Sequence, residues 1–135
     1  MNDCIFCKIA KGEIPCYKLY EDNEFLAILD AFPVMLGQVL VFPKHHIESY
    51  IFDVDDNLYC RFLIFAKKIA KAIDSALNPI KTGLVIEGLE VNHIHVKLFP
   101  LTNKKGYQMK LLDPLPSEKE MIEIANKLRK NFHKN

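Results

Sequence analysis

Two groups of residues in this chain have side chains and spacing that could do chemistry. The first lies between Val91 and Phe99. Read as a strand, whose side chains alternate between faces, this segment puts Val91, His93, His95, Lys97 and Phe99 together. Two imidazoles and an ammonium in successive positions of one face repel each other unless an anion, a metal or a neutral imidazole intervenes. The opposite face, Asn92, Ile94, Val96 and Leu98, is mostly apolar and suits a core beneath a helix. A solvated outer face with chance histidines is the competing reading. The second group is Cys4-Ile5-Phe6-Cys7, a CxxC whose thiols can share one metal ion or form a redox pair. A redox pair belongs at the start of a helix that follows a strand in a βαβ unit, and here the motif lies almost at the first residue. A four-cysteine zinc ribbon is excluded because there is no second CxxC; Cys16 and Cys60 are isolated. A closed zinc site would need two further ligands, with His45, His46 and His93 the candidates. Ordinary buried thiols are the alternative.

The elements that must position these residues can be read from periodicity. Tyr17 to Tyr20 and Phe25 to Leu29, separated by Glu21-Asp22-Asn23-Glu24, predict a β-hairpin. Gly37 leads into Val39-Leu40-Val41-Phe42, a continuous apolar run stopped by Pro43, which predicts a buried strand. Asp53 or Asp55 can cap a long helix on which Leu58, Phe62, Phe65, Ala66, Ile69, Ile73 and Leu77 recur, until Asn78-Pro79 ends it. Its other side carries Arg61, Lys67, Lys68, Lys71 and Asp74, read as a solvated face. Thr82 to Ile86 and Val91 to Phe99 predict two more strands. Ser117 with Glu120 is a capping box, followed by Met121, Ile124, Ala125, Leu128 and Phe132 on one face of a C-terminal helix over about 117–132. This order predicts an α+β fold with a mostly antiparallel sheet of about five strands, one long helix and a C-terminal helix.

The chain has 135 residues, half of them hydrophobic and 26% charged, enough for a packed core and matching one domain over residues 1–135. Eighteen lysines and arginines against seventeen acids give a net charge of +1. That excludes a strongly basic coat for nucleic acid, so an anionic ligand would need a local site. No apolar run approaches the ~20 residues of a membrane span, and Met1-Asn2-Asp3-Cys4 does not begin a signal peptide. A cytoplasmic protein with no membrane partner is expected, its cysteines metal-bound or free.

Cys4-Ile5-Phe6-Cys7-Lys8-Ile9-Ala10-Lys11-Gly12-Glu13-Ile14-Pro15 resembles the opening of histidine-triad (HIT) proteins of the Hint-like branch. Leu29-Asp30, Val39-Leu40-Val41-Phe42-Pro43-Lys44-His45-His46-Ile47 and His93-Ile94-His95-Val96-Lys97-Leu98-Phe99-Pro100 follow in that family's order, so the resemblance spans roughly residues 3–100. It implies a HIT-like fold. In this family's signature, His-x-His-x-His precedes two apolar residues; here Lys97 stands third. The preceding loop, Glu87-Gly88-Leu89-Glu90, is short and lacks the Asn and Gln that contact phosphate in relatives.

The resemblance implies a nucleotide-binding hydrolase or transferase in which His95, the middle position, attacks the α-phosphorus of a nucleoside phosphoramidate or dinucleoside polyphosphate. A neutral imidazole is nucleophilic near pH 7 and forms a labile phosphoramidate. Lys97 is compatible with phosphate binding as a point charge, but can shuttle protons only if its pKa falls well below ~10.4. By the same resemblance Ile5, Phe6, Ile9 and Ile28 form an apolar slot for a purine and Asp30 accepts bonds from the ribose hydroxyls. Glu90, His95 and Lys97 complete the nucleotide-binding set. Cys4, Cys7, His46 and His93 would hold one structural Zn2+, with His46 preferred over His45. A purine nucleotide or nucleotide conjugate is the expected ligand, and pairing as a homodimer the expected assembly. Lys97 and the short loop keep open a nucleotide-binding protein with little turnover. Near-neutral charge weighs against a zinc module for nucleic acid or protein.

Overall fold

The computed structural model of the chain describes residues 3–106, 108 and 110–132. Met1 and Asn2, half of the opening tetrapeptide considered above, lie outside the described residues. The elements run α1 (Ile5–Ala10), β1 (Lys18–Glu21), β2 (Phe25–Leu29), β3 (Val39–Pro43), a short 3-10 turn (Ile51–Asp53), α2 (Asp56–Leu77), β4 (Lys81–Val85), β5 (Val96–Leu101) and α3 (Glu118–Lys130). The five strands form one sheet in the order β1-β2-β3-β5-β4, each neighbouring pair antiparallel. The fold is α+β. Among the described residues no helix is long and apolar enough to cross a membrane.

Strands β2 and β3 are buried along their whole length because both faces of the sheet are covered. Phe25, Ala27, Leu29, Val39 and Val41 face α2 and α3, where Phe62, Phe65, Ile69, Ile73, Met121 and Leu128 meet them. Leu26, Ile28, Leu40 and Phe42 form a smaller cluster on the other face with Phe6 of α1. The alternation of strand residues thus feeds two cores rather than one core and solvent.

Helix α2 begins where Asp55 accepts a 3.0 Å bond from the Leu58 amide; Asp53 lies in the 3-10 turn instead. It ends on Asn78, left-handed at φ 49°, just before Pro79. Its polar side is exposed, as expected, and some of its side chains are paired there. Arg61 makes two bonds to Glu24, at 2.9 and 2.8 Å, Lys68 reaches the Tyr20 hydroxyl, and Asp74 accepts from Thr82. At helix α3 both halves of the Ser117–Glu120 capping box form.

Two expectations need correction. The last strand begins at Val96, not Val91, and residues 91–95 run as an irregular segment. Pairing with β3 stops at Val41 and Val96 because the next positions approach Pro43, which has no amide proton to give. Ile94 donates to Ile47 at 2.8 Å and His93 to Val91 at 2.9 Å. In addition, the CxxC opens a helix: Cys4 is the N-cap, its sulfur accepting from the Cys7 amide at 3.4 Å. No strand precedes that helix among the described residues.

Candidate functional site

The two chemical groups of the sequence meet on the α1 side of the sheet. His93, His95 and Lys97 are 0%, 3% and 6% exposed, so the solvated-face reading of that alternation does not hold. Helix α1 covers them. Phe6 stacks on Phe42 with ring centres 4.5 Å apart and turns its edge to both His93 and His95.

The cap at Cys4 and the first helical turn at Cys7 bring both sulfurs to the histidines. Cys4 Sγ lies 3.2 Å from His93 Nδ1, and Cys7 Sγ lies 3.5 Å from both His93 Nδ1 and His46 Nδ1. The four donor atoms fall within 4.8 Å of one another. Of the two neighbouring histidines His46 joins this group, while His45 is exposed. Nε2 of His93 is 2.8 Å from the Pro43 carbonyl, which can only accept, so that nitrogen carries the proton and Nδ1 presents a lone pair to the sulfurs. Burial, together with the surrounding histidines, drops the His93 pKa to about 4, which keeps the ring neutral. Burial and the bond from Cys4 push the Cys7 thiol up. Thiolates in such a pocket require a cation.

The donor set fits zinc. Tetrahedral Zn–S and Zn–N bonds of about 2.3 and 2.0–2.1 Å put sulfur and nitrogen ~3.6 Å apart, close to the separations found. A carbonyl fixing the far nitrogen of a ligating histidine is the usual supporting arrangement. Cys4, Cys7, His46 and His93 are therefore a possible metal site.

Beside α1 a cleft of about 410 Å³ opens. All eight residues expected at the nucleotide line it: Ile5, Phe6, Ile9, Ile28, Asp30, Glu90, His95 and Lys97. Its size suits a small-molecule ligand, and an apolar wall with a few convergent polar groups is the usual composition. His95 donates Nδ1–H to the His93 carbonyl at 2.8 Å, which leaves Nε2 as the free lone pair. Burial holds its pKa below the usual imidazole value, so the neutral form prevails at pH 7.

Asp30 directly follows β2 at the cleft. One carboxylate oxygen accepts from the Phe32 amide at 2.9 Å and the other from Gln38 Nε2 at 2.9 Å. Gln38, itself 3% exposed, also accepts from the Val34 amide, so it fixes the carboxylate between two turns. Burial raises the Asp30 pKa above the ordinary carboxylate range. The sequence reading passed over Gln38, although a polar residue between Gly37 and an apolar strand was the available signal.

Glu87 was passed over too, as a site residue. It bonds Lys97 Nζ at 2.7 Å, and Glu90 bonds the same nitrogen. Burial disfavours the ammonium, but the bonds from Glu87 and Glu90 outweigh it and raise the Lys97 pKa. Glu90 is lowered in turn, chiefly by its bond to Lys97. Lys97 is therefore held as the ammonium between two carboxylates. Gly88, between these acids, has φ +69°, and a Cβ there would collide with the Ser49 carbonyl.

Comparison with known proteins places this geometry among relatives. The HIT domain family matches residues 11–104. An uncharacterized HIT-like protein of Borreliella burgdorferi is 39% identical over 98% of this chain and 100% of its own length. A Saccharomyces cerevisiae protein named adenosine 5'-monophosphoramidase is 34% identical over 96% of this chain and 80% of its own. The crystal structure of a Zn-bound histidine triad family protein from Mycobacterium smegmatis superposes with a TM-score of 0.82 at 26% identity, over 98% of this chain and 94% of that one.

Proposed function

This chain belongs to the HIT domain family, and on that premise we propose that it is a nucleotide hydrolase or nucleotidyl transferase acting on the α-phosphate of nucleoside phosphoramidates or dinucleoside polyphosphates. The observation that carries the reading is the single cleft in which an apolar slot, the Asp30 carboxylate and the bare Nε2 of His95 converge. Ile5, Phe6, Ile9 and Ile28 sandwich the base, and Asp30 accepts from the ribose hydroxyls. Nε2 of His95 attacks the α-phosphorus. The bond to the leaving group breaks, and that group departs with the electron pair and takes a proton from solvent. Water then attacks the nucleotidyl-histidine, releasing the nucleoside monophosphate, a proton and His95. Lys97 stands where the third family histidine would be. Its charge stabilises the phosphoryl oxygens, with Glu90 at the same end of the cleft.

We further propose that Cys4, Cys7, His46 and His93 hold one structural zinc ion, which when bound ties α1 to the segment carrying both histidines. With four protein donors it has no open position for substrate. The chain is proposed to act as one domain over residues 1–135, in the cytoplasm, as a homodimer.

The clamped state of Lys97 favours a second reading, a nucleotide-binding protein with little turnover. One experiment separates the two. The purified protein is mixed with adenosine 5'-phosphoramidate or diadenosine tetraphosphate, turnover is followed, and the quenched protein is searched for a nucleotidyl adduct by mass spectrometry. Turnover and an adduct that both vanish in His95→Ala support the enzyme. Binding without turnover supports the second reading, and equal turnover in His95→Ala overturns the assignment of the nucleophile.

A further inference from the structure

We propose that Glu87 and Glu90 determine specificity at this site: they form a charge filter that favours conjugates whose leaving group is a cationic amine and disfavours polyanionic leaving groups. The inference rests on the nucleotide-transfer reading above and narrows its substrate class. Where the reacting phosphate lies is marked independently of the acids by His95. Its side chain is 3% exposed and lines the cleft, and Nε2 has no partner among the described residues. Lys97, two residues on, is the one lysine or arginine lining that cleft among the described residues, and its charge is already engaged by two carboxylates. The pair of acids over-neutralises it and leaves a net negative end. Each acid uses only Oε1 for Lys97, and among the described residues neither Oε2 makes a further bond.

The space beyond points the same way. Glu90, Ile5 and Val91 separate the cleft from a second hollow of about 760 Å³. Asp3, Glu48 and Glu90 bring three carboxylates to its wall, and no lysine or arginine lines it among the described residues. A leaving group that projects past Lys97 enters this hollow. Chains of phosphates there would meet carboxylates of the same charge at short range, and like charges repel. An ammonium on the leaving group would instead meet the unengaged oxygen of Glu90, which lines both the cleft and the hollow. Gly88 of this loop lies close against Ser49, whose amide donates to Asn92 Oδ1 at 3.0 Å.

The test compares three adenosine 5'-linked substrates on the whole protein: the phosphoramidate of ethylamine, the phosphoramidate of ethylenediamine with its second amine free, and diadenosine tetraphosphate. Wild type is expected to prefer the ethylenediamine conjugate over the ethylamine conjugate by roughly tenfold in kcat/KM, the equivalent of about 1.4 kcal/mol. Glu90→Gln and Glu87→Gln should each shrink that preference, and should raise activity on diadenosine tetraphosphate relative to the ethylamine conjugate. Equal rates on the two phosphoramidates in wild type, or an undiminished preference in both variants, would overturn the filter. Binding of the same ligands is measured by calorimetry alongside. If nothing turns over but the affinities keep the charge order, the catalytic reading fails and the filter stands. Turnover without the charge order sinks the filter alone, and absence of binding sinks both.

Discussion

The backbone carbonyl of His93 accepts the Nδ1 proton of His95 at 2.8 Å, while the ring of His93 gives its own proton, on Nε2, to Pro43. The two imidazoles are therefore neutral in opposite tautomers. One turns Nδ1 toward the cysteines, and the other keeps Nε2 for the cleft. Any displacement of His93 also displaces the carbonyl that orients His95.

Metal removal should expose this dependence. Protein purified without chelator is expected to carry one zinc per chain by elemental analysis. His46→Ala and Cys7→Ser should lose it, and His45→Ala should keep it. Chelation is expected to lower Tm by ~4 °C or more, about 1 kcal/mol for a chain of this size. Full zinc content in His46→Ala would remove that residue from the ligand set.

Asp30 sets a trade between stability and binding. Its carboxyl is raised by burial, so ionising it costs the folded state. Wild type then loses stability as pH rises from the unfolded carboxyl value, ~3.9, through the raised folded value. Asp30→Asn has no proton to lose there. Its stability relative to wild type should rise between about pH 4 and pH 7 in urea titrations, while its nucleotide affinity falls at pH 7. A pH-independent difference would contradict the assignment.

Gln38→Ala should be costly for a residue at a strand entrance. It leaves the Val34 amide unpartnered and removes a donor from Asp30. A loss of about 1–3 kcal/mol is expected from chemical denaturation, with weaker nucleotide binding by calorimetry. Wild-type affinity in a folded variant would show that Asp30 needs no such support.

Gly88→Ala meets both a left-handed backbone and the Ser49 carbonyl. It should destabilise the protein by about 1–3 kcal/mol and shift the loop holding Glu87 and Glu90. A melting temperature equal to wild type would mean that the loop is looser than its packing indicates.

Periodicity was a good guide to β2, β3, α2 and α3, because each buries a continuous apolar stripe that propensity and capping reinforce. It failed at residues 91–95, where side-chain alternation persists but the ladder stops at Pro43, a neighbour distant in sequence. It also missed α1, a six-residue helix whose cap is a cysteine rather than the usual serine or aspartate. In the site, the cysteines and histidines were conspicuous by type. Lys97 was visible as a charge, but its partners Glu87 and Glu90 come together only when the short loop folds back over β5. Gln38 escaped notice because nothing local in sequence shows what a buried amide will bond to.

The span of chain between Cys4 and its histidine partners has a kinetic consequence. Cys4 meets His93 across 89 residues and Cys7 meets His46 across 39. A six-residue helix is too short to persist alone. During synthesis this helix must therefore wait, unstructured, until β3 and then the segment before β5 have been made. Closing so long a loop is slow compared with forming α2 or the β1–β2 hairpin. Helix α1 therefore docks only after β3 and the segment that carries His93, and the cleft it lines is complete only once it has docked.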